Sequence, residues 1–189
     1  MRWSVFVVAL AATLVADAAL GRSLDLVGIT PLLSGGLATF VVLLAARPAA
    51  WGAALVTGLT LDLSSPEMWE LRPLHVPGPW ALGFAFGAFL LLQLRGSLMR
   101  RNPLTVGAAT ALLLAAATLP WAAIWSLRAW YPGSLPPWGD RPVTWALWER
   151  IWWALWSGAV CVPLAWLLLR TLPAWGFAGL RRSPARVRA

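Results

Sequence analysis

Long apolar runs are the feature of this chain that most restricts its fold. A helix that crosses a bilayer needs about 20 mostly apolar residues, with a range of about 17–25. Six runs approach or reach that length, separated by more polar segments. They cover residues 3–20, 29–46, 49–63, 79–94, 104–127 and 149–172. The sequence therefore predicts an all-α, polytopic integral membrane protein, in which residues 1–172 form one six-helix transmembrane bundle.

The scarcity of charge also favours a membrane environment. Charged residues make up 12% of the chain and hydrophobic residues 60%, whereas an average soluble domain has about 25% charged residues. The formal net charge is +8, which in a soluble protein would suggest nucleic-acid binding. Here the arginines lie between and after the apolar runs, where membrane proteins place positive charge. We therefore expect membrane lipids as partners and no nucleic acid.

The arginine distribution predicts the orientation. With the N-terminus in the cytoplasm, ten of the fifteen basic residues fall on the cytoplasmic side and five on the outer side. Short cytoplasmic segments of membrane proteins carry an excess of positive charge. The prediction is an N-in/C-in membrane protein, in which residues 173–189 form a basic cytoplasmic tail.

Two of the runs leave the number of spans open. As a helix, residues 49–63 would extend about 22 Å, less than a hydrocarbon core of about 30 Å. Only Arg47 and Pro48 separate this run from the preceding one, so the two could form a tight hairpin. The first run also fits a signal peptide, because Arg2 precedes an apolar stretch that contains Ala16-Asp17-Ala18. Cleavage there would leave five spans.

Proline and tryptophan positions predict local details. Pro31 is expected to open the second helix, since proline suits the first helical turn. Pro163 is expected to kink the sixth helix. Residues 128–148 are rich in Trp and Pro, and Trp concentrates at the membrane–water interface. This segment is predicted to lie on the outer membrane surface, with room for a short interfacial helix before the sixth span.

Asp17 and Asp62 are acidic residues within or at the end of apolar runs. A carboxylate at membrane depth is costly and is often functional. In the six-helix arrangement both lie near the outer ends of their helices, where they could face each other, bind a cation, pair with an arginine or reach interfacial water. We expect Asp62 to be a packing or partner-contact residue rather than a proton carrier, and Asp17 is a candidate for the same role.

Small residues and a basic cluster mark further candidate contacts. Gly83 and Gly87 form a Gly-x-x-x-Gly motif that lets helix backbones approach closely, and we expect it to pack within the bundle. Gly58, one turn before Asp62, is a candidate for the same kind of contact. A candidate cytoplasmic basic patch consists of Arg95, Arg100 and Arg101. It would anchor the chain at the membrane or bind a cytoplasmic partner.

The residue inventory predicts no enzyme. His75 is the only histidine and Cys161 the only cysteine, which is too few for a zinc site. A hydrolase triad cannot be built around a single histidine in a proline-rich loop. The chain also has no lysine for a phosphate-binding loop. We expect no catalytic residues, no cofactor and no metal.

The middle of the chain carries three segments in a characteristic order. Residues 51–63 end in Gly58-x-x-x-Asp62, residues 78–83 begin the next apolar run, and residues 93–105 form a basic turn after it. These segments resemble, in this order, a helix end, the next helix start and the following cytoplasmic turn of the rod shape-determining MreD family. The likeness covers about residues 30–125. The short third run and the Trp-rich final third depart from the family pattern.

The resemblance implies a non-enzymatic membrane scaffold of the machinery that elongates the cell wall and determines rod shape. Members of the family are thought to act with the bitopic protein MreC. Through it they would act with the actin-like MreB and the glycan polymerase and transpeptidase that synthesise the wall. No catalytic residues carry over from the family.

A different class of protein fits the same plan. Substrate-capture subunits of vitamin or metal uptake transporters have a similar size and six spans, and they meet a coupling subunit through small residues such as Ala12 and Ala16. They need an outward pocket lined by polar and aromatic side chains, which Asp17, Asp62, Glu67 and the tryptophans could furnish. An enzyme of lipid metabolism is a weaker alternative, because acidic metal-binding clusters are missing from the sequence.

Overall fold

The fold of the chain was analysed in a computed structural model. It describes residues 1–21, 23–26, 28–64, 67–69, 72–74, 77–98, 102–130, 136–139 and 141–177. The helices are α1 (Trp3–Leu20), α2 (Leu33–Leu44), α3 (Arg47–Ser64), α4 (Pro79–Leu94), α5 (Pro103–Arg128), α6 (Val143–Arg170) and the short α7 (Leu172–Trp175). Between α3 and α4, strands β1 (Glu67–Trp69) and β2 (Arg72–Leu74) pair antiparallel, with Met68 opposite Pro73.

The helical character predicted from the apolar runs is confirmed. Among the residues that the structure describes, three helices are long and apolar enough to cross a membrane, namely α1, α5 and α6, with 18, 26 and 28 residues. The apolar helices α2 and α4 are shorter, with 12 and 16 residues. The small hairpin of β1 and β2 was not predicted, and it lies in the segment that the sequence indicated as a loop.

Helix α2 forms the centre of the bundle. All twelve of its residues are buried, which is typical of a helix that is apolar all round and surrounded by protein. Neighbouring helices approach it closely at two glycines. A Cβ atom at Gly36 would lie 2.5 Å from the Cys161 sulfur of α6, and one at Gly35 would lie 3.0 Å from Leu114 of α5.

The helix boundaries depart most from prediction at the starts of α2 and α6. The prediction that Pro31 opens α2 is wrong, because the helix begins at Leu33 after an extended Leu32. Helix α6 begins at Val143, six residues before the predicted start, and so takes up the last part of the Trp-rich segment. Pro163 lies inside α6, which continues to Arg170.

The chain folds back onto the bundle after α6. The N–H of Arg2 donates a hydrogen bond to the Trp175 carbonyl at 2.9 Å. The rings of Trp175 and Phe177 pack edge-on against Phe40 of α2, with centroids 5.2 and 5.9 Å away. Trp175 is 1% exposed and Phe177 is 4% exposed. Two residues of the predicted tail, Trp175 and Phe177, are therefore packed on the bundle, and residues 178–189 lie outside the described part of the chain.

Helices α1 to α6 run alternately up and down, so the bundle has two ends. At the Asp end, α1, α3 and α5 finish and α2, α4 and α6 begin, and the side chains of Asp17 and Asp62 reach the following helices there. At the opposite end, which we name the Arg end, Arg2 contacts Trp175 and Arg95 donates to the carbonyl of Ala45.

Candidate functional site

Asp17 joins α1 to α2. Its Oδ1 accepts a hydrogen bond from the backbone N–H of Leu33 at 2.6 Å, and its Oδ2 accepts one from Ser34 at 3.1 Å. The first N–H groups of a helix have no partner within the helix, and the N-cap residue Leu32 offers no side-chain cap. The carboxylate therefore caps α2 from a neighbouring helix, where the positive end of the helix dipole favours it.

Asp62 repeats this arrangement between α3 and α4. Its Oδ1 accepts from the N–H of Trp80 at 2.9 Å, and its Oδ2 accepts from Gly78 at 2.8 Å and Ala81 at 3.1 Å. The residue is 4% exposed, and the N-cap Gly78 has no side chain that could cap the helix. Three backbone donors at the start of α4 thus depend on one buried carboxylate.

Gly58 makes the Asp62 contact possible. It lies one helical turn before Asp62, on the same face of α3. A Cβ atom at Gly58 would lie 2.5 Å from the Trp80 carbonyl oxygen and 2.7 Å from the Ala81 Cα atom. Such contacts are closer than real Cβ atoms tolerate. The absence of a side chain therefore lets the start of α4 rest directly on α3.

Gly83 and Gly87 face α5 within the bundle. A Cβ atom at Gly83 would lie 2.5 Å from the Ala117 carbonyl oxygen, and one at Gly87 would lie 2.7 Å from that of Leu113. Both distances are too short for a side chain. The motif thus serves close packing of α4 on α5, as small residues do between membrane helices.

The members of the candidate basic patch are only partly described. The Arg95 guanidinium donates to the carbonyl of Ala45, just after the last residue of α2. A cation is favourable at this position because the C-terminal end of a helix is partially negative. Arg100 and Arg101 lie outside the described residues.

A cavity of about 320 Å³ opens at the Asp end, between the ends of α1 and α3, the segment before α2, the start of α4 and the third turn of α6. We name it the Arg150 cavity. Its wall combines one cation, one carboxylate and one hydroxyl with two indoles and several apolar side chains. The lining residues are Asp17, Ala18, Gly21, Thr30, Pro31, Leu32, Leu61, Trp80, Arg150 and Trp153. A second cavity of about 390 Å³ adjoins it and shares Thr30, Arg150 and Trp153.

Three indole rings surround the Arg150 guanidinium. Its central carbon lies 4.5 Å from the ring centroid of Trp121, 5.3 Å from that of Trp80 and 5.4 Å from that of Trp153. A cation within about 6 Å of an aromatic face is attracted by the ring, and tryptophan is the strongest partner. Trp80 and Trp121 are 7% and 2% exposed. The three rings therefore fix the position of a positive charge beside the cavity.

The cage around Arg150 was not predicted from the sequence. Only the spacing of Arg150 and Trp153 indicated part of it. Arg150 and Trp153 are three residues apart on α6, which places them on one face of the helix. Trp80 and Trp121 come from α4 and α5. Their approach depends on tertiary packing that no spacing along the chain reveals.

The part of the chain that the structure describes contains no group of three or more His, Cys, Asp or Glu side chains that could hold a metal ion. Cys161 is buried in α6 beside Gly36. His75 lies outside the described residues.

Comparison with known proteins adds no identification. No family model matches the chain, and neither the curated proteins nor the solved structures contain a match. In its described part, the chain is a helical protein with three helices long and apolar enough to cross a membrane.

Proposed function

We propose that the chain is a non-enzymatic membrane scaffold of the bacterial cell-wall elongation machinery, contributing to rod-shape determination as MreD-like proteins do. In this proposal it crosses the cytoplasmic membrane six times, with both termini in the cytoplasm. Its partners are an MreC-like bitopic protein and, through it, an MreB-like filament and the cell-wall synthases.

One observation carries the proposal: the residues that resemble the MreD family form a single joined unit. Gly58 and Asp62 lie against the start of α4. Gly78 donates to Asp62, and Gly83 packs on α5. These residues hold three helices together and place no nucleophile or acid–base pair in a cleft. A rigid frame of this kind suits a protein that binds others rather than one that transforms a substrate.

The short α2 is compatible with a membrane-embedded bundle. Twelve residues rise about 18 Å as a helix, well below the thickness of a bilayer core. Irregular backbone is tolerated at membrane depth where protein buries it and satisfies its hydrogen bonds. The N–H of Leu32 donates to the Ser157 hydroxyl at 3.0 Å, and the next two N–H groups donate to Asp17. These contacts give hydrogen-bond acceptors to the backbone N–H groups at the start of α2.

The proposed orientation rests on the arginines counted along the sequence. Among the described residues, the Arg end carries Arg2, Arg47, Arg95 and Arg170, and the Asp end also carries four arginines, at positions 72, 128, 141 and 150. The excess comes from Arg100, Arg101 and the four arginines of residues 181–188 in the sequence. Since positive charge is retained on the cytoplasmic side, the proposal assigns the Arg end to the cytoplasm.

Helix α1 offers the surface for a partner helix. Only Phe6, Leu10 and Thr13 are buried along its length, whereas Val8 and Val15 are 70% and 68% exposed. Helices associate in lipid through close packing of such surfaces. A single transmembrane helix of a bitopic protein could therefore lie along α1 without displacing any part of the bundle.

Photo-crosslinking in living cells tests this function. A photoreactive phenylalanine analogue replaces Val8 on α1, and the control places it at Leu119 on α5, which is 53% exposed. We expect the Val8 position to crosslink an MreC-like bitopic protein and the Leu119 position to give none of this adduct. Depletion of the chain should also turn rod-shaped cells round. Unchanged cell shape, with no adduct specific to Val8, would reject the scaffold.

The Arg150 cavity favours a second candidate function, a substrate-capture subunit of an uptake transporter. Such a subunit needs a pocket near the outer surface with polar and aromatic walls, and the cavity has both kinds of wall at the Asp end. Here the discriminating measurement is uptake. Loss of vitamin or metal accumulation on depletion, with normal cell shape, would favour capture over the scaffold.

A further inference from the structure

We propose that a groove between α1 and α6 at the Arg end binds the acyl chain of an anionic phospholipid, whose headgroup lies beside Arg2 and Arg170. Its lining comes from residues 4–12 of α1 and residues 167–175 of α6 and α7, and we name it the α1–α6 groove. This inference requires the chain to be embedded in a membrane, but it does not require the scaffold function. It rests on the wall of the groove, its depth and the charge beside its end.

The wall of the α1–α6 groove is almost entirely apolar. The exposed Val8 and Leu167 flank it, and the buried Leu168 and Trp175 form its floor. The Trp175 indole N–H donates to the Thr171 hydroxyl at 3.0 Å, so this polar group of the floor already has an acceptor. The volume is about 470 Å³. Lipid tails are as apolar as leucine, and an acyl chain therefore matches this wall.

The groove is deep enough for one leaflet of a bilayer. Its lining on α1 runs from Ser4 to Ala12, a rise of about 12 Å along a helix. A bilayer core is about 30 Å thick, so that one leaflet measures about 15 Å. A partner helix that crosses the membrane needs a contact surface through both leaflets, whereas a lipid occupies one. The depth of the groove therefore favours a lipid, with its headgroup at the Arg end.

Two exposed arginines lie beside the groove at that end. Arg2 directly precedes α1, and its side chain lies against Gly176, where a Cβ atom would be 3.3 Å from the Arg2 Cγ atom. Arg170 is the last residue of α6, and its guanidinium carbon lies 3.5 Å from the ring centroid of Trp166. Tryptophan is enriched at the depth of lipid headgroups. The two arginines thus bracket the end of the groove from α1 and from α6.

No acidic side chain offsets these arginines along either arm of the groove. The sequence has no acidic residue before Asp17 and none after Glu149. Basic pockets between membrane helices bind anionic lipid headgroups, and arginine forms two parallel hydrogen bonds with a phosphate. The charge at the Arg end therefore selects a lipid with a net negative headgroup over a zwitterionic one.

A lipid in the groove leaves a face of α1 for the partner helix proposed above. Val7 and Val15 are exposed and do not line the groove. Val8 is seven residues before Val15 and lies on the same stripe of the helix, so it marks the border between the two surfaces. Val15 lies beyond the groove toward the Asp end, where a helix that crosses both leaflets can pack.

Photoactivatable lipids test the proposal. The probes are phosphatidylglycerol and phosphatidylcholine with the same diazirine-bearing acyl chain, each added to the full chain in phosphatidylcholine nanodiscs, and mass spectrometry locates the label. We expect phosphatidylglycerol to label the groove residues at least fivefold more, because each arginine near a membrane surface contributes about a fivefold preference for an anionic lipid. Equal labelling of the groove by both probes, or the same preference at the exposed Leu119 of α5, would overturn the proposal.

Charge variants locate the headgroup. Arg2→Gln combined with Arg170→Gln should make the two probes label the groove equally. The matched control is Arg47→Gln, because Arg47 is also exposed at the Arg end but begins α3, which does not line the groove. This control should keep the preference for phosphatidylglycerol. An unchanged preference in the double variant, or an equal loss in the control, would overturn the position of the headgroup.

A filling variant locates the acyl chain. Ala9→Phe places a ring in the groove and should remove most of the labelling by both probes. Ala11→Phe is the matched control, because Ala11 is exposed on the same helix and does not line the groove. Circular dichroism checks that both variants keep their helices. Labelling that survives Ala9→Phe, or falls equally with Ala11→Phe, would show that the acyl chain lies elsewhere and would overturn the proposal.

A photoreactive residue at Ala9 in living cells separates the lipid from a protein occupant. We expect it to give lipid adducts, whether or not the Val8 position crosslinks a bitopic protein. Failure of the scaffold at Val8 is thus distinguishable from failure of the lipid site at Ala9. A crosslink from Ala9 to the membrane helix of another protein, in place of lipid, would make the groove a helix-docking site and would overturn the proposal.

Discussion

Asp62 on α3 accepts a hydrogen bond from the backbone N–H of Trp80, the second residue of α4, at 2.9 Å. The same relationship joins Asp17 on α1 to Leu33, the first residue of α2, at 2.6 Å. Two helices of the bundle therefore receive their N-terminal caps from the helix before them. An acidic residue near the end of an apolar helix, which in a sequence suggests proton or ion chemistry, here closes a junction between helices.

Replacement of Asp62 tests the capping role. Asp62→Ala should lower the free energy of unfolding by about 2 kcal/mol, because three N–H groups at the start of α4, one buried and two part-buried, lose their acceptor. Asp62→Asn keeps one acceptor oxygen and should cost less. Thermal unfolding in detergent, followed by circular dichroism, measures both effects. Asp25→Ala is the control, since Asp25 is exposed and caps only the N–H of Gly28. Loss of a measured ion flux with Asp62→Asn at unchanged stability would contradict this role.

Replacement of Gly58 tests the close approach of α3 and α4. Gly58→Ala places a Cβ atom 2.5 Å from the Trp80 carbonyl oxygen, and overpacking of this kind typically costs about 1–3 kcal/mol. The midpoint of thermal unfolding should therefore fall. Gly96→Ala is the matched control, because a Cβ atom there meets nothing within 4 Å. Equal midpoints for the two variants would show that the helices are farther apart than described.

Replacement of Trp175 tests the packing of the chain after α6. Trp175→Ala should destabilise the bundle by about 3 kcal/mol, since it removes a buried indole from its contact with Phe40. Trp130→Ala removes an indole that is 83% exposed and should have little effect. Denaturant unfolding of both variants provides the comparison. A Trp175→Ala protein as stable as the wild type would mean that this segment is not docked.

The sequence predicted the bounds of two helices closely. The predicted run at residues 3–20 coincides with α1, and the run at residues 79–94 coincides with α4. Pro79 opens the fourth helix directly after Gly78, a start signal that acts within one helical turn. Arg2 provides no side-chain cap for the first helix, so its bounds follow from the apolar run alone.

Features that depend on distant residues were not predictable in this way. Helix α2 starts at Leu33 rather than at Pro31, because its cap comes from Asp17, sixteen residues earlier on another helix. The cage around Arg150 brings together side chains of α4, α5 and α6. Gly83 and Gly87 were predicted to pack within the bundle, and the helix that they face, α5, is visible only in the structure.

The proposed function requires the Asp end and the Arg end to lie on opposite sides of the cytoplasmic membrane. Labelling of single cysteines in intact spheroplasts with a membrane-impermeant maleimide tests it most directly. Ser23, near the Asp end, and Ser97, near the Arg end, are both exposed, whereas Cys161 is 0% exposed and should not react. Ser23→Cys should be labelled in intact spheroplasts, and Ser97→Cys only after lysis. Labelling of both positions before lysis, or of Ser97→Cys alone, would contradict the account.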